Sequence, residues 1–184
     1  RGWIHSNGIS FIKLGKTSGW VTLLLDQLTA GAANPWGLSL SSDNRWLFIS
    51  LAGVHKVAIV DLPKAQRLVF ETRPEEIERL SQNVEILDER KIAWHVNTGG
   101  LGPRGIAFHE KKNELWVCNY FSDTISILDL PHGKIQDIIP LGTPQEITLQ
   151  RKGEILFNDA LLSFQGWFSC ASCHQEDATT DALN

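Results

Sequence analysis

The chain has 184 residues, of which 42% are hydrophobic and 21% charged, and its net charge is −4. Such a composition belongs to a folded globular protein with material for a sizeable core. It excludes a nucleic-acid binder held by a basic face, and no apolar run approaches the ~18 residues of a membrane helix.

In chain order, residues 21–25 form the first strand-like run, and residues 1–30 are read as part of a β-unit whose pattern returns later. The first clear unit begins Pro35-Trp36-Gly37-Leu38-Ser39-Leu40. A polar turn at residues 41–44 leads to Arg45-Trp46-Leu47-Phe48-Ile49-Ser50, and Val57-Ala58-Ile59-Val60-Asp61-Leu62 closes it. The second begins Pro103-Arg104-Gly105-Ile106-Ala107-Phe108. It turns at residues 109–113 and continues through Glu114-Leu115-Trp116-Val117-Cys118-Asn119 and Ile125-Ser126-Ile127-Leu128-Asp129-Leu130. A third copy is expected to start at Pro144-Gln145-Glu146-Ile147-Thr148-Leu149. Each unit reads as short strands joined by polar turns. Pro103 and Pro144 stand 41 residues apart, which is the spacing of four-stranded propeller blades, about 40–45 residues. Pro35 and Pro103 stand 68 apart, so one blade carries an insertion of roughly 27 residues over that period. Residues 63–93 supply it. Within them, Arg73-Pro74-Glu75-Glu76-Ile77-Glu78 carries helix-start signals and predicts a short surface helix. Trp46, Phe48, Phe108 and Trp116 are expected in the blade core, and Cys118 is expected to be a buried free thiol.

These units resemble the YVTN-type β-propeller repeat, with Trp116-Val117-Cys118-Asn119 and Ile125-Ser126-Ile127-Leu128-Asp129 in the matching places. The resemblance covers about residues 20–150. It implies a fold rather than a chemistry. Because a propeller closes with about 4–8 blades, a longer polypeptide or another chain is expected to complete the ring.

From Gln150 the pattern turns helical. It leads to Cys170-Ala171-Ser172-Cys173-His174, which has the C-x-x-C-H spacing of c-type haem attachment. Thiols at i and i+3 share one helix face and can reach the two vinyl groups of a porphyrin. The histidine that follows falls beneath the ring as the axial iron ligand. A zinc site would need four Cys or His ligands, and a redox dithiol would need a βαβ context. Neither is visible around this pair. The predicted cofactor is therefore haem c, with Cys170 and Cys173 as thioether sites and His174 on the iron. The chain contains no methionine, so the sixth position falls to a histidine, to a partner or to an open site. His5, His55, His95, His109 and His132 are the candidates, with His55 and His95 ranked first for their apolar surroundings. Trp167 and Phe168 precede the motif and are read as packing residues. No catalytic side chain is assigned.

The run Gly153-Glu154-Ile155-Leu156-Phe157-Asn158-Asp159, continuing through Leu162-Ser163 to Ser169-Cys170-Ala171-Ser172-Cys173-His174, resembles the first haem segment of the dihaem cytochrome c peroxidase and MauG superfamily. That resemblance spans about 35 residues. It implies oxidoreductase chemistry, and the family's second C-x-x-C-H has no counterpart in these residues.

The fold class expected is mainly β: propeller blades over residues 1–149, followed by the start of an α-helical cytochrome c segment at residues 150–184. The expected function is electron transfer or peroxidase-like chemistry at one covalent haem. Its location would be periplasmic or otherwise extracytoplasmic, and its partner a redox protein or further sequence of the same polypeptide. The alternative is a propeller scaffold for a protein or ligand, in which the haem is structural.

Overall fold

In this computed structural model, residues 5–14, 19–130, 132–143 and 146–174 are described. The first two strands, β1 (Gly8–Lys13) and β2 (Gly19–Leu24), pair antiparallel from Gly8 opposite Leu24 to Lys13 opposite Gly19. Next comes a four-stranded antiparallel sheet of β3 (Pro35–Leu40), β4 (Trp46–Leu51), β5 (Lys56–Asp61) and β6 (Ala93–Asn97), ordered as in the chain. Between β5 and β6 the chain forms α1 (Leu62–Glu71), α2 (Ile77–Ser81) and α3 (Ile86–Glu89). A second four-stranded sheet follows, made of β7 (Pro103–His109), β8 (Glu114–Asn119), β9 (Thr124–Asp129) and β10 (Ile135–Pro140). The described chain ends with α4 (Leu149–Asn158) and the single turn α5 (Cys170–Cys173).

The two four-stranded sheets are two copies of one blade. In both, the first strand pair carries an irregularity after its proline. Pro35 faces Leu51 and Leu38 faces Ile49, just as Pro103 faces Asn119 and Ile106 faces Val117. The repeated Pro-x-Gly therefore encodes a β-bulge, a device that bends and twists the strand locally. In the first blade this bulge brings the neighbouring blade close. A Cβ at Gly37 would lie 2.3 Å from the Arg104 carbonyl oxygen. The Ser50 hydroxyl, which accepts from the Gly37 N–H at 2.8 Å, donates to that same oxygen at 2.8 Å.

The inner strands of the first blade, β4 and β5, are buried on both faces, which explains their unbroken apolar runs Leu47-Phe48-Ile49 and Val57-Ala58-Ile59-Val60. Phe48, Val57 and Ile59 meet Leu115, Val117 and Leu128 of the second blade in one core. Phe48 stacks on Phe108 with ring centres 5.7 Å apart. On the opposite face, Ile49, Ala58 and Val60 join Val21, Leu23, Leu68 and Leu87 in another.

One expectation is extended and two need correction. The short surface helix expected at residues 73–80 is present as α2 and the turn before it, but the insertion holds two further helices. Asp61 caps α1 by accepting from the Lys64 N–H, and Leu62, Ala65, Leu68 and Val69 form a buried stripe on it. Leu80, Ile86 and Leu87 are buried as well, so the inserted helices cover the first blade. Cys118 is exposed, and Trp116 lies outside the core, against His109. Both sit on the face of the second blade turned away from the first, where alternation alone gives no sign of what packs. The expected third copy does not begin as a strand: Glu146, Ile147 and Thr148 are irregular and α4 starts at Leu149. Its Pro144 and Gln145 lie outside the described residues. Thr148 caps that helix by accepting from the Arg151 N–H, so the local capping chemistry favours a helix start over a strand.

The blade repeat makes a paired test. Gly37→Ala forces a Cβ onto a backbone oxygen of the next blade and should cost about 1–3 kcal/mol in urea unfolding. The same change at Gly105, whose Cβ would meet only Cys118 at 3.5 Å, should cost much less. Equal losses at the two sites would contradict this packing.

Candidate functional site

The C-x-x-C-H turn does not stand by itself. Asn34, in the loop before β3, holds it at both ends of its side-chain amide. Asn34 Nδ2 donates to Ser169 Oγ at 2.8 Å, and Ser172 Oγ donates to Asn34 Oδ1 at 2.7 Å. Ser172 Oγ also accepts from the Ser169 N–H at 2.9 Å. Asn34 has φ 56°, a left-handed conformation that asparagine tolerates better than most residues.

The loop leading to Asn34 carries the rest of the C-terminal segment. Asp26 is buried and accepts from the Asn7 N–H (2.6 Å), Asn7 Nδ2 (2.9 Å) and the Ala32 N–H (2.8 Å). Burial outweighs these bonds and pushes its carboxyl above the ordinary value. Asn7 Nδ2 donates in turn to the Trp167 carbonyl, and the Gly31 N–H to that of Gln165. A Cβ at Gly31 would lie 2.4 Å from Trp167 Cα, so only glycine lets this strap lie so close. Trp167 packs on Leu24 and Val84, as expected of a packing residue. Phe168 is exposed, with its ring 6.0 Å from that of His5.

The turn borders a cleft of about 1150 Å³. One wall is the propeller side, with Asn34, Trp36, Arg104 and Tyr120. The other is α4 and the motif, with Glu154, Phe157, Ala171, Ser172 and His174. Ligand sites commonly measure about 300–1,000 Å³, so the cleft has room for a group as large as a tetrapyrrole. Cys170 and Cys173 are free thiols, the first exposed and the second half-buried. His174 closes the turn, donating its N–H to the Cys170 carbonyl, and its ring lies 6.4 Å from Phe157. Among the described residues, no three His, Cys, Asp or Glu side chains converge to hold a bare metal ion.

The remaining histidines are sorted by position. His5 reaches the motif, with its Nε2 3.1 Å from Cys173 Sγ, and lines the cleft. His55 Nδ1 accepts from the Gly102 N–H at 3.1 Å, and its Nε2 lies 3.4 Å from Asp159 Oδ1. Its Nδ1 thus ties the first blade to the loop before β7, and its Nε2 reaches the segment after α4. His95, in β6, is held neutral by burial, its pKa lowered from 6.5 to about 4. His109 stacks on Trp116, and His132 is exposed in the turn after β9. Neither His55 nor His95 lines the cleft, although sequence ranked them first. Asn34, Arg104, Tyr120 and Glu154 carried no local signal of a site.

No protein-family model matches the chain. It is similar to hydrazine synthase subunit beta of Kuenenia stuttgartiensis, with 29% identity over 128 residues, 69% of this chain and 32% of that protein. A chain in the solved structure of Kuenenia stuttgartiensis hydrazine synthase matches with TM-score 0.60 and 26% identity. That match covers 67% of this chain and 35% of the other. A streptogramin B lyase structure matches at TM-score 0.46 and 16% identity, over 75% of this chain and 35% of the other. The chain thus spans about a third of the length of the relatives it matches. The similarity to hydrazine synthase and the four-stranded antiparallel sheets agree on a mainly β, propeller-like fold.

Two outcomes follow from this geometry. Asn34→Gly keeps the left-handed backbone but deletes both side-chain bonds, and should cost about 1–3 kcal/mol in chemical unfolding. A loss below about 0.5 kcal/mol would show that the amide holds nothing. His95 sets a pH dependence. Below pH 6.5 the unfolded chain takes up a proton that the folded chain refuses until about pH 4. Stability should therefore fall as pH drops through that window, by at most about 3 kcal/mol. The urea midpoint of His95→Phe should be less sensitive between pH 7 and 5 than that of the wild type. An identical slope would remove His95 as its source.

Proposed function

We propose that the chain is a c-type haem protein, with haem bound through thioethers at Cys170 and Cys173 and with His174 as an axial iron ligand. One observation carries the reading: the C-x-x-C-H turn is fixed by Asn34 to the propeller wall, and His174 lines a cleft of about 1150 Å³ beside it. The donor set fits the group. Two free thiols at i and i+3 stand beside an imidazole; His174 lines the cleft together with Trp36 and Tyr120, whereas Cys170 and Cys173 lie outside its lining. Large apolar side chains around the motif, including Leu156, Phe157, Leu161, Leu162 and Phe164, are exposed. Such a patch fits a surface that a planar apolar group or a partner covers.

Bound haem supplies one-electron iron chemistry. The chain's own residues hold and orient it. With haem bound, Asn34 would fix the C-x-x-C-H turn, Phe157 would pack beside the His174 ring, and Trp36 and Tyr120 would help exclude water from the cleft they line. The reaction class is electron transfer or the peroxidase-like chemistry implied by the resemblance of residues 153–174 to the cytochrome c peroxidase and MauG superfamily. Covalent haem c is attached outside the cytoplasm, which makes the location extracytoplasmic. The relative is by its name a subunit, which supports a protein partner.

Haem content after co-expression with the haem-attachment machinery tests the assignment. The peptide containing residues 170–174 should carry one haem by mass, with an alkaline pyridine spectrum of two thioethers. Cys170→Ala should shift that spectrum to one thioether, and the double Cys→Ala variant should lose covalent haem. A wild-type peptide without haem would overturn the proposal. Carbon monoxide binding by the reduced protein would mark an open or readily opened iron, and its absence a relay site with six ligands.

A further inference from the structure

Among the described residues, His5 is the one histidine that lines the cleft together with His174. The segment carrying it is held at Asn7, two residues on. The Asn7 N–H and side-chain amide donate to Asp26, and the same amide donates to the Trp167 carbonyl at 3.2 Å. His5 is thereby pinned beside the strap that leads into the C-x-x-C-H turn. Its Nε2 lies 3.1 Å from Cys173 Sγ, and its ring 6.0 Å from that of Phe168. One imidazole thus touches a thiol outside the cleft lining and itself borders the cleft. The other cleft side chains with a donor suited to iron are Tyr120 and Glu154. Glu154 is taken by Arg151, whose Nη1 donates to its Oε2 at 2.7 Å. The Tyr120 ring carries two guanidinium groups, with Arg104 Cζ 4.0 Å and Arg151 Cζ 4.6 Å from its centre.

We infer that His5 is the second axial ligand of the haem iron, so that the N-terminal segment supplies one iron ligand and the C-x-x-C-H turn the other. This rests on the haem assignment. Thioether formation itself loosens the contact between His5 and Cys173. The Cys173 S–H adds across a vinyl double bond: a C–S bond forms, and the hydrogen passes to the other vinyl carbon, with no oxidant required. The sulfur then has no hydrogen to donate and is a weak acceptor. The imidazole exchanges that sulfur for iron, a metal it suits well. With no methionine in the chain, a pair of imidazoles makes the site a relay with six ligands and favours electron transfer over peroxide chemistry.

The test is spectroscopy of the holoprotein with haem on Cys170 and Cys173. The ferric wild type should be low-spin, with the near-infrared charge-transfer band of two imidazoles, and its reduced form should not bind carbon monoxide. His5→Ala should lose that band, become high-spin and bind carbon monoxide when reduced, with haem content unchanged. Added imidazole should restore the low-spin spectrum. A wild type that is high-spin or binds carbon monoxide overturns the proposal while the haem assignment stands. So does a two-imidazole band retained in His5→Ala, or no recovery with imidazole. A wild-type band of one imidazole and one phenolate, lost in Tyr120→Phe, places Tyr120 on the iron and also overturns it. Should His5→Ala not load haem, His5→Met is read in the same way: loss of the two-imidazole band upholds His5, and its retention overturns it. Absence of haem from the wild type overturns both readings.

Discussion

The side-chain amide of Asn34 is the constraint on which the site depends. The C-x-x-C-H turn is four helical residues long, too short to be stable without outside support. It stays in place because one amide accepts from Ser172 and donates to Ser169, and because Asn34 itself is held at the start of a blade strand. The loop behind it is fixed in turn by Asp26, whose buried carboxylate gathers three N–H donors, and by Gly31, which lets the strap at Trp167 lie against it. Loss of the amide would remove both side-chain bonds that join Ser169 and Ser172 to the loop before β3.

The repeat explains why such a wall exists. Pro-x-Gly bends the first strand of each blade, and in the first blade the missing side chain at Gly37 admits the backbone of β7. That close approach aligns β3 with β7, so Trp36 and Arg104, one residue after each repeat proline, come to the same place. A sequence repeat thus becomes a bulge, the bulge becomes a blade contact, and the contact brings an aromatic and a cation together facing the motif. The inserted helices act elsewhere. They cover the opposite face of the first blade and leave this end open.

Much of this architecture was legible in the sequence, because blades are local. Strands, turns and bulges are specified within a few residues of each proline, and the 68-residue offset survives unchanged through three strands. What was not legible is long-range. Alternation in Glu114-Leu115-Trp116-Val117-Cys118 marks two faces without saying which one meets the first blade, so Cys118 and Trp116 were misplaced. The inserted segment offered one clear start signal at Pro74, yet its burial comes from Leu68, Leu80 and Leu87 meeting strands far away in the chain. The motif residues carry their spacing with them, whereas Asn34, Arg104 and His5 join the site from 66 to 168 residues away. No local pattern announces such partners. Apolar neighbours were a poor guide to the histidines for the same reason: His95 is buried as a blade residue and His55 as a brace.

The central claim is that one cleft, shared by the propeller wall and the C-x-x-C-H turn, receives the haem. Amide hydrogen exchange compared between haem-loaded protein and the double Cys170→Ala, Cys173→Ala variant tests it most directly. The account predicts that haem protects residues 34–36, 104 and 120 together with residues 157 and 170–174. Protection confined to residues 149–174, with the propeller wall unchanged, would contradict it.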